Sequence, residues 1–288
     1  MNNILLIGGT GFVGKYLARS LREAGESVSV INRSVISERA VVEGVAHFRS
    51  DLGQHDTSME EVFGGAHTVV ILTQPNHMVI QNIIAYLAKA QNLKKLIYVS
   101  SVLLYPSSLT AQGETSELAP GSPYENGKFE EEGLVTAFCQ DAEVPLCIAR
   151  LSNVYGDVKN RRLIGFVFDA ALENKTLKIN GDGGQKRDYI FIDDAVRFLK
   201  FLILAPQENA KEIINVSTGS GSTIMDIISI IDEHTGHALA FVHGPPVVEK
   251  NVIIASNKKI LKISGINVEY DLNRGLKETY QRHLKASY

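Results

Sequence analysis

Tryptophan is absent from the 288 residues, and cysteine occurs only as Cys139 and Cys147. Two thiols cannot build a disulfide framework, so the fold must rest on an apolar core, with both thiols expected reduced and inside it. Long hydrophobic runs are missing as well. "FLKFLILA" at 198–205 falls far short of the ~20 apolar residues that cross a bilayer, and no membrane span is expected. Charge of one sign is not concentrated. Lys and Arg number 29 against 32 Asp and Glu, a formal net charge of −3, and the densest basic spot is "KNRR" at 159–162, so no nucleic-acid groove is expected. The opening "NNILLIGG" runs into a glycine turn with no basic leader before it, and a cytoplasmic location is expected. What is present, 44% hydrophobic and 21% charged residues, suits a globular enzyme.

Short apolar runs alternate with helical patterns through the first half. "NILLIG" at 3–8, "SVSVIN" at 27–32, "VAHF" at 45–48, "HTVVILT" at 67–73, "KLIYVSS" at 95–101 and "PLCIARLS" at 145–152 read as strands covered on both faces. Helices are expected at 12–24, closed by Gly25, and at 57–63, 76–92 and 124–142. Strand and helix in alternation require right-handed crossovers, which predicts an α/β, doubly wound parallel sheet (Rossmann fold) over 1–152. Beyond it the rhythm breaks, and 153–288 is expected to form mainly a smaller α/β substrate lobe, with 188–217 returning to the main sheet.

"GGTGFVG" sets Gly8, Gly11 and Gly14 between the first strand and the first helix, with Phe12 and Val13 in the same loop. Backbone amides and the positive helix end there suit a pyrophosphate, which a side chain would obstruct. The second strand ends on Asn32, Arg33 and Ser34, where a carboxylate would select NAD through its ribose 2′-hydroxyl. A neutral residue beside a guanidinium and a hydroxyl favours the 2′-phosphate of NADP(H), with NAD(H) the alternative if Arg33 is only a loop charge. In "SDL", Asp51 reads as an acceptor for the adenine amino group or as a turn cap, and Leu52 follows it. Tyr124 and Lys128, four apart, share one helix face and can form either an acid/base pair or plain helix surface.

With "GGTGFVG", "SSVLLY" and "YENGK" in this order, the chain resembles the extended short-chain dehydrogenase/reductase family, in its nucleotide-sugar epimerase/dehydratase branch. "ARLSNVYG" at 149–156, "NGDGGQKRDYIFIDD" at 180–194 and "INVSTGSGSTIMDII" at 214–228 resemble later segments of that branch. The resemblance implies Ser101, Tyr124 and Lys128 as the catalytic set. A carbonyl oxygen gaining charge during hydride transfer needs a proton and a hydrogen-bond donor, assigned to Tyr124 and Ser101, while the Lys128 ammonium favours the phenolate and holds the nicotinamide ribose. It further implies Thr73 near the cofactor, and Asn153 and Arg187 on the nucleotide sugar; a surface ion pair is the alternative for Arg187.

Three departures matter. Val102 and Leu103 follow Ser101 where sugar 4,6-dehydratases carry an acidic pair, which argues against water elimination; Pro106 replaces a glycine after Tyr105; and "PPVVEK" at 245–250 offers Lys250 instead of a second arginine. The expected activity is NADP(H)-dependent reduction of a keto group, at C4, on a nucleoside-diphosphate sugar. A 4-epimerase with tightly bound NAD is the close alternative, and a non-catalytic dinucleotide-sensing protein the minor one. Asp193 and Asp194 are expected as a helix N-cap, His234 and His237 as surface residues, and no metal site is expected. Residues 105–123 are expected to form a mobile loop bordering the substrate. A Phe129, Leu134 and Phe138 stripe offers either a homodimer seam or core packing.

Overall fold

The structure, a computed structural model, describes residues 2–33, 41–160, 162–207 and 209–286. In chain order it contains β1 (Asn3–Ile7), α1 (Phe12–Glu23), β2 (Ser27–Asn32), β3 (Ala46–Arg49), α2 (Met59–Gly64), β4 (Thr68–Ile71), α3 (His77–Leu87), β5 (Lys95–Ser101), α4 (Pro123–Asp141), β6 (Leu146–Leu151) and β7 (Asn153–Tyr155). There follow α5 (Leu163–Leu172), β8 (Leu177–Asn180), β9 (Lys186–Arg187), β10 (Tyr189–Phe191), α6 (Ile192–Leu204), β11 (Lys211–Val216), α7 (Ile224–Thr235), β12 (Phe241–Gly244), β13 (Val252–Ile253), α8 (Lys258–Ser264) and α9 (Leu272–Ala286). No helix among the described residues is long and apolar enough to cross a membrane.

The chain divides into two compact units and passes between them five times. The first comprises Met1–Leu104, Ala119–Leu151 and Val196–Val216; the second comprises Tyr105–Leu118, Ser152–Ala195 and Ser217–Tyr288. A single cut after residue 152 therefore understates the interleaving.

The first unit is built on a seven-stranded, all-parallel sheet of order β11-β6-β5-β4-β1-β2-β3. β1, β4 and β5 are covered on both faces, because runs such as "TVVI" and "LIYV" give neither face a polar stripe. The edge strand β3 is only partly covered. Helices α3 and α4 close one face over a core that includes Ile7, Ile71, Tyr86, Tyr98 and Ile148. Strand order reverses between β1 and β4, and their carboxyl ends frame the crevice where ligands of open α/β sheets bind. Gly25, at φ +86°, ends α1 in the left-handed conformation expected of it.

In the second unit, three short parallel ladders pair β7 with β10, β8 with β12 and β9 with β13. Of the 188–217 segment expected in the main sheet, only β11 joins it; β10 pairs with β7, which leaves β6 directly after Ser152. Asp193 and Asp194 lie in the first turn of α6, and each also reaches another part of the second unit. Asp193 makes a two-pronged ion pair with Arg282 of α9 at 3.0 and 2.6 Å, and buried Asp194 accepts from the Glu269 and Tyr270 amides. Residues 105–118 are tied down rather than loose: Ser108 N donates to Val252 O at 3.0 Å, Gln112 N to Ile254 O at 2.9 Å and Ser256 N to Gln112 O at 2.8 Å.

Candidate active site

The glycine turn is shaped by close approaches. Gly8 has φ +83°, which only glycine adopts without strain. A Cβ on Gly14 would lie 2.5 Å from Gly9 Cα and 2.6 Å from Gly8 O, so its absence lets α1 pack directly on the turn. Gly11, exposed, has ordinary extended geometry (φ −67°, ψ 175°), and a Cβ there meets only Gly8 O at 3.1 Å. α1 starts at Phe12 with no side-chain cap and no acidic residue in its first turn, so its leading amides face an electropositive opening. That open, uncapped cradle fits a dinucleotide phosphate. Phe12 and Val13 are half-buried on the first turn of α1.

At the end of β2, Asn32 is 5% exposed and Arg33 is exposed; Ser34 lies outside the described residues. After β3, exposed Asp51 accepts from Gly53 N at 3.1 Å, the turn-forming alternative anticipated for it. Leu52 is buried in the core, and its carbonyl accepts from Asn82 Nδ2 at 2.8 Å.

α4 carries the tyrosine and lysine on a well-defined start. Ser122 caps it in a capping box with Glu125, Pro123 fills the first position, and Glu125 also accepts from Gly121 N at 2.7 Å. Gly127 lets the helix approach the segment after β4, since a Cβ there would fall 2.8 Å from Pro75 Cβ. Tyr124 is half-buried and Lys128 is 2% exposed. The Lys128 ammonium donates to Thr73 O and to Val99 O, both at 2.9 Å, and lies 4.7 Å from the centre of the Tyr98 ring. Burial lowers its pKa to about 8 against the opposing charges of Glu131 and Glu132. Buried Ser101 ends β5, its Oγ accepting from Leu103 N at 3.2 Å. Val102 and Leu104 are buried in the single helical turn that follows.

One segment joins these pieces. Its first contact is with the glycine turn, because a Cβ on Gly8 would stand 3.4 Å from Leu72 C and 3.5 Å from Thr73 N; its second is the Thr73 carbonyl that binds Lys128. The glycine turn and the lysine thus flank one stretch at the end of β4.

No motif announced the groups beneath the lysine. Tyr98 donates to Glu131 in a short buried hydrogen bond, and Glu131 Oε1 accepts from Asn76 N at 2.7 Å. Burial first, and then the Glu131 charge, pushes the Tyr98 hydroxyl far above its usual range. Arg150 is 3% exposed and forms a two-pronged pair with Glu132 at 3.0 and 2.8 Å. A glutamate run such as "EEE" resembles a solvated face, and only the packing shows two of its three members inside.

The second unit holds its own cavity of about 340 Å³. Asn153, Arg187, Lys178, Tyr189 and Glu249 line it. Asn153 Nδ2 donates to Asp188 O at 3.2 Å; Arg187 donates to Glu249 Oε2 at 2.8 Å and to Asn251 O at 3.2 Å, the ion-pair alternative named for it. Lys178 and Glu249 lacked any motif. Asp188 is fully buried, binds Thr218 N, Thr218 Oγ1 and Gly219 N at 2.8 to 3.0 Å, and is raised by burial to about 6. His234 Nε2 meets Asn273 Oδ1 at 3.2 Å, and no cluster able to hold a metal occurs among the described residues.

Residues 4–217 match the family described as NAD dependent epimerase/dehydratase. The chain belongs to that family. It is accordingly an enzyme of the extended short-chain dehydrogenase/reductase type that uses a nicotinamide dinucleotide. Among curated proteins, this epimerase/dehydratase family member is 23% identical over 95% of its length to a putative UDP-glucose 4-epimerase of Methanocaldococcus jannaschii, covering 96% of that protein. Its fold matches UDP-glucuronic acid 4-epimerase from Bacillus cereus in complex with UDP-glucuronic acid and NAD, with a TM-score of 0.89 and 23% identity over 99% and 100% of the two chains. The UDP-glucose 4-epimerase of Thermus thermophilus in complex with NAD gives a TM-score of 0.89 at 21% identity, again over 99% and 100%.

Proposed function

We propose that this enzyme transfers hydride at C4 of a nucleoside-diphosphate sugar and operates as an NADP(H)-linked keto reductase. The carrying observation is the Leu72–Thr73 segment that touches Gly8 on one side and binds the Lys128 ammonium on the other. Gly8, Gly11 and the first amides of α1 would hold the dinucleotide phosphates. When bound, the nicotinamide supplies the hydride. Tyr124 donates the proton that the reduced carbonyl oxygen requires, and Ser101 donates a hydrogen bond to the same oxygen. Lys128 has three N–H donors and spends two on the Thr73 and Val99 carbonyls, leaving one to hold the ribose hydroxyls while its charge favours the Tyr124 phenolate.

The neutral, buried Asn32 and the exposed Arg33 support the choice of NADP(H). Val102 and Leu103 after Ser101 offer no acid or base for dehydration. In the second unit, Arg187 and Lys178 suit the sugar-nucleotide diphosphate, which would compete with Glu249 for the guanidinium.

A second reading, a 4-epimerase that retains NAD, is favoured by the 4-epimerases among full-length relatives. The two separate cleanly in one assay. Pure protein is incubated with NADPH and a panel of nucleoside-diphosphate 4-keto sugars, and reduced nicotinamide absorbance is followed. Stoichiometric NADPH loss with the 4-keto sugars supports the reductase; interconversion of the C4 epimers of the matching 4-hydroxy nucleotide sugars in a parallel incubation, with copurified NAD and no net absorbance change, supports the epimerase. Undiminished turnover in Tyr124→Phe would overturn the assigned chemistry under either reading.

A further inference from the structure

Lys128 is held in an unusual setting, a buried cation that donates to two neutral backbone carbonyls. Its nearest formal counter-charges lie on the same helix, one turn on. Glu132 is occupied by Arg150, which neutralises it. Glu131 is different: it is 2% exposed, accepts a short hydrogen bond from the Tyr98 hydroxyl, and accepts from the Asn76 amide as well. Both partners donate, so each of the two Glu131 oxygens acts as an acceptor. A phenol that donates to a carboxylate gains electron density in its ring, and a cation over the ring face is attracted by that density. The ammonium sits over this face, 4.7 Å from the ring centre.

We propose that Glu131, acting through the Tyr98 ring, is a positioning residue that keeps the Lys128 ammonium charged and fixed beneath the cofactor site. The inference rests on the role given to Lys128 above. Among the described residues, the charged or titratable groups acting on the ammonium are Glu131 and Glu132 on α4 and the Tyr98 ring on β5; Tyr124, one turn earlier on α4, acts on Tyr98, and Arg150 on β6 offsets Glu132. Removing the Glu131 charge while leaving Glu132 paired takes away the one carboxylate not already matched by a cation. The carbonyl contacts of Lys128 would survive, so the loss is electrostatic and appears as weaker proton affinity.

The test needs no substrate. Protein carrying lysine labelled with carbon-13 at Cε is titrated by NMR, with the Lys128 signal identified by its absence in Lys128→Met, and NADPH affinity is measured alongside at pH 7 and pH 9. Glu131→Gln should lower the Lys128 midpoint by about one pH unit, a roughly tenfold loss of proton affinity. Its NADPH affinity should fall at the lower pH toward that of Lys128→Met, while Glu131→Asp restores much of the midpoint. An unchanged midpoint in folded Glu131→Gln overturns the inference. If Glu131→Gln does not fold, Tyr98→Phe decides: a lowered midpoint supports the relay through the ring, and an unchanged one overturns it. The parent reading fails separately, through wild-type turnover in Lys128→Met.

Discussion

Gly11 and Gly14 are three residues apart in one turn, yet their replacement by alanine should have different consequences. In Gly14→Ala the new methyl carbon would stand 2.5, 2.6 and 2.7 Å from Gly9 Cα, Gly8 O and Gly9 C, all backbone atoms. Ordinary contact begins near 3.4 Å, so the turn or the helix must shift by most of an ångström. Overpacking costs about 1–3 kcal/mol, and contacts under 3 Å with unyielding backbone atoms put this site in the upper part of that range, about 2–3 kcal/mol, partly offset by the roughly 1 kcal/mol that alanine gains over glycine inside a helix. A net loss of about 1–2 kcal/mol corresponds to a melting temperature lower by roughly 2–8 °C for a chain of this size. Gly11→Ala adopts an allowed backbone and meets only Gly8 O at 3.1 Å, so stability should stay within about 1 kcal/mol. Its methyl instead fills the approach to the uncapped amides of α1, and dinucleotide affinity should fall at least tenfold, or about 1.4 kcal/mol. Calorimetric melting of the ligand-free protein and titration with NADPH and NADH read the two quantities separately. Gly11→Ala that binds as tightly as the parent, or Gly14→Ala with an unshifted melting curve, would refute this account of the turn.

The Glu132–Arg150 pair gives a second expectation: Glu132→Gln removes the carboxylate that pairs with a buried guanidinium and should cost about 3–5 kcal/mol in urea unfolding, whereas the double replacement Glu132→Leu/Arg150→Met recovers most of it. For Lys128 the sign follows from its lowered folded pKa of about 8, which means folding favours the neutral amine; its contribution to stability is fully present above the unfolded value of 10.5 and is lost as pH falls through 8. Lys128→Met should therefore raise the melting temperature at pH 7, by an amount worth about 1–3 kcal/mol after the two unbonded carbonyls are counted, and the gain should shrink toward pH 10. A melting temperature that falls at pH 7 and stays lower at pH 10 would count against the buried charge.

The order of elements in the first unit was legible in the sequence because its signals are local. Strands such as β5, which the periodicity places at 95–101 and the structure at Lys95–Ser101, announce themselves by apolar runs, and a glycine turn is dictated by the backbone conformation of a few neighbouring residues. The spacing of Tyr124 and Lys128 on one helix face is likewise fixed by helix geometry alone. What the chain could not declare were pairings across long separations. That Glu131 meets Tyr98, that Arg150 turns to Glu132 and that Arg187 is held by Glu249 depends on which strands and helices become neighbours. The same holds for β10 pairing with β7 while β11 continues the main sheet. A charged residue reads as solvated until packing encloses it, so the buried electrostatics around the lysine were decided only by the tertiary structure.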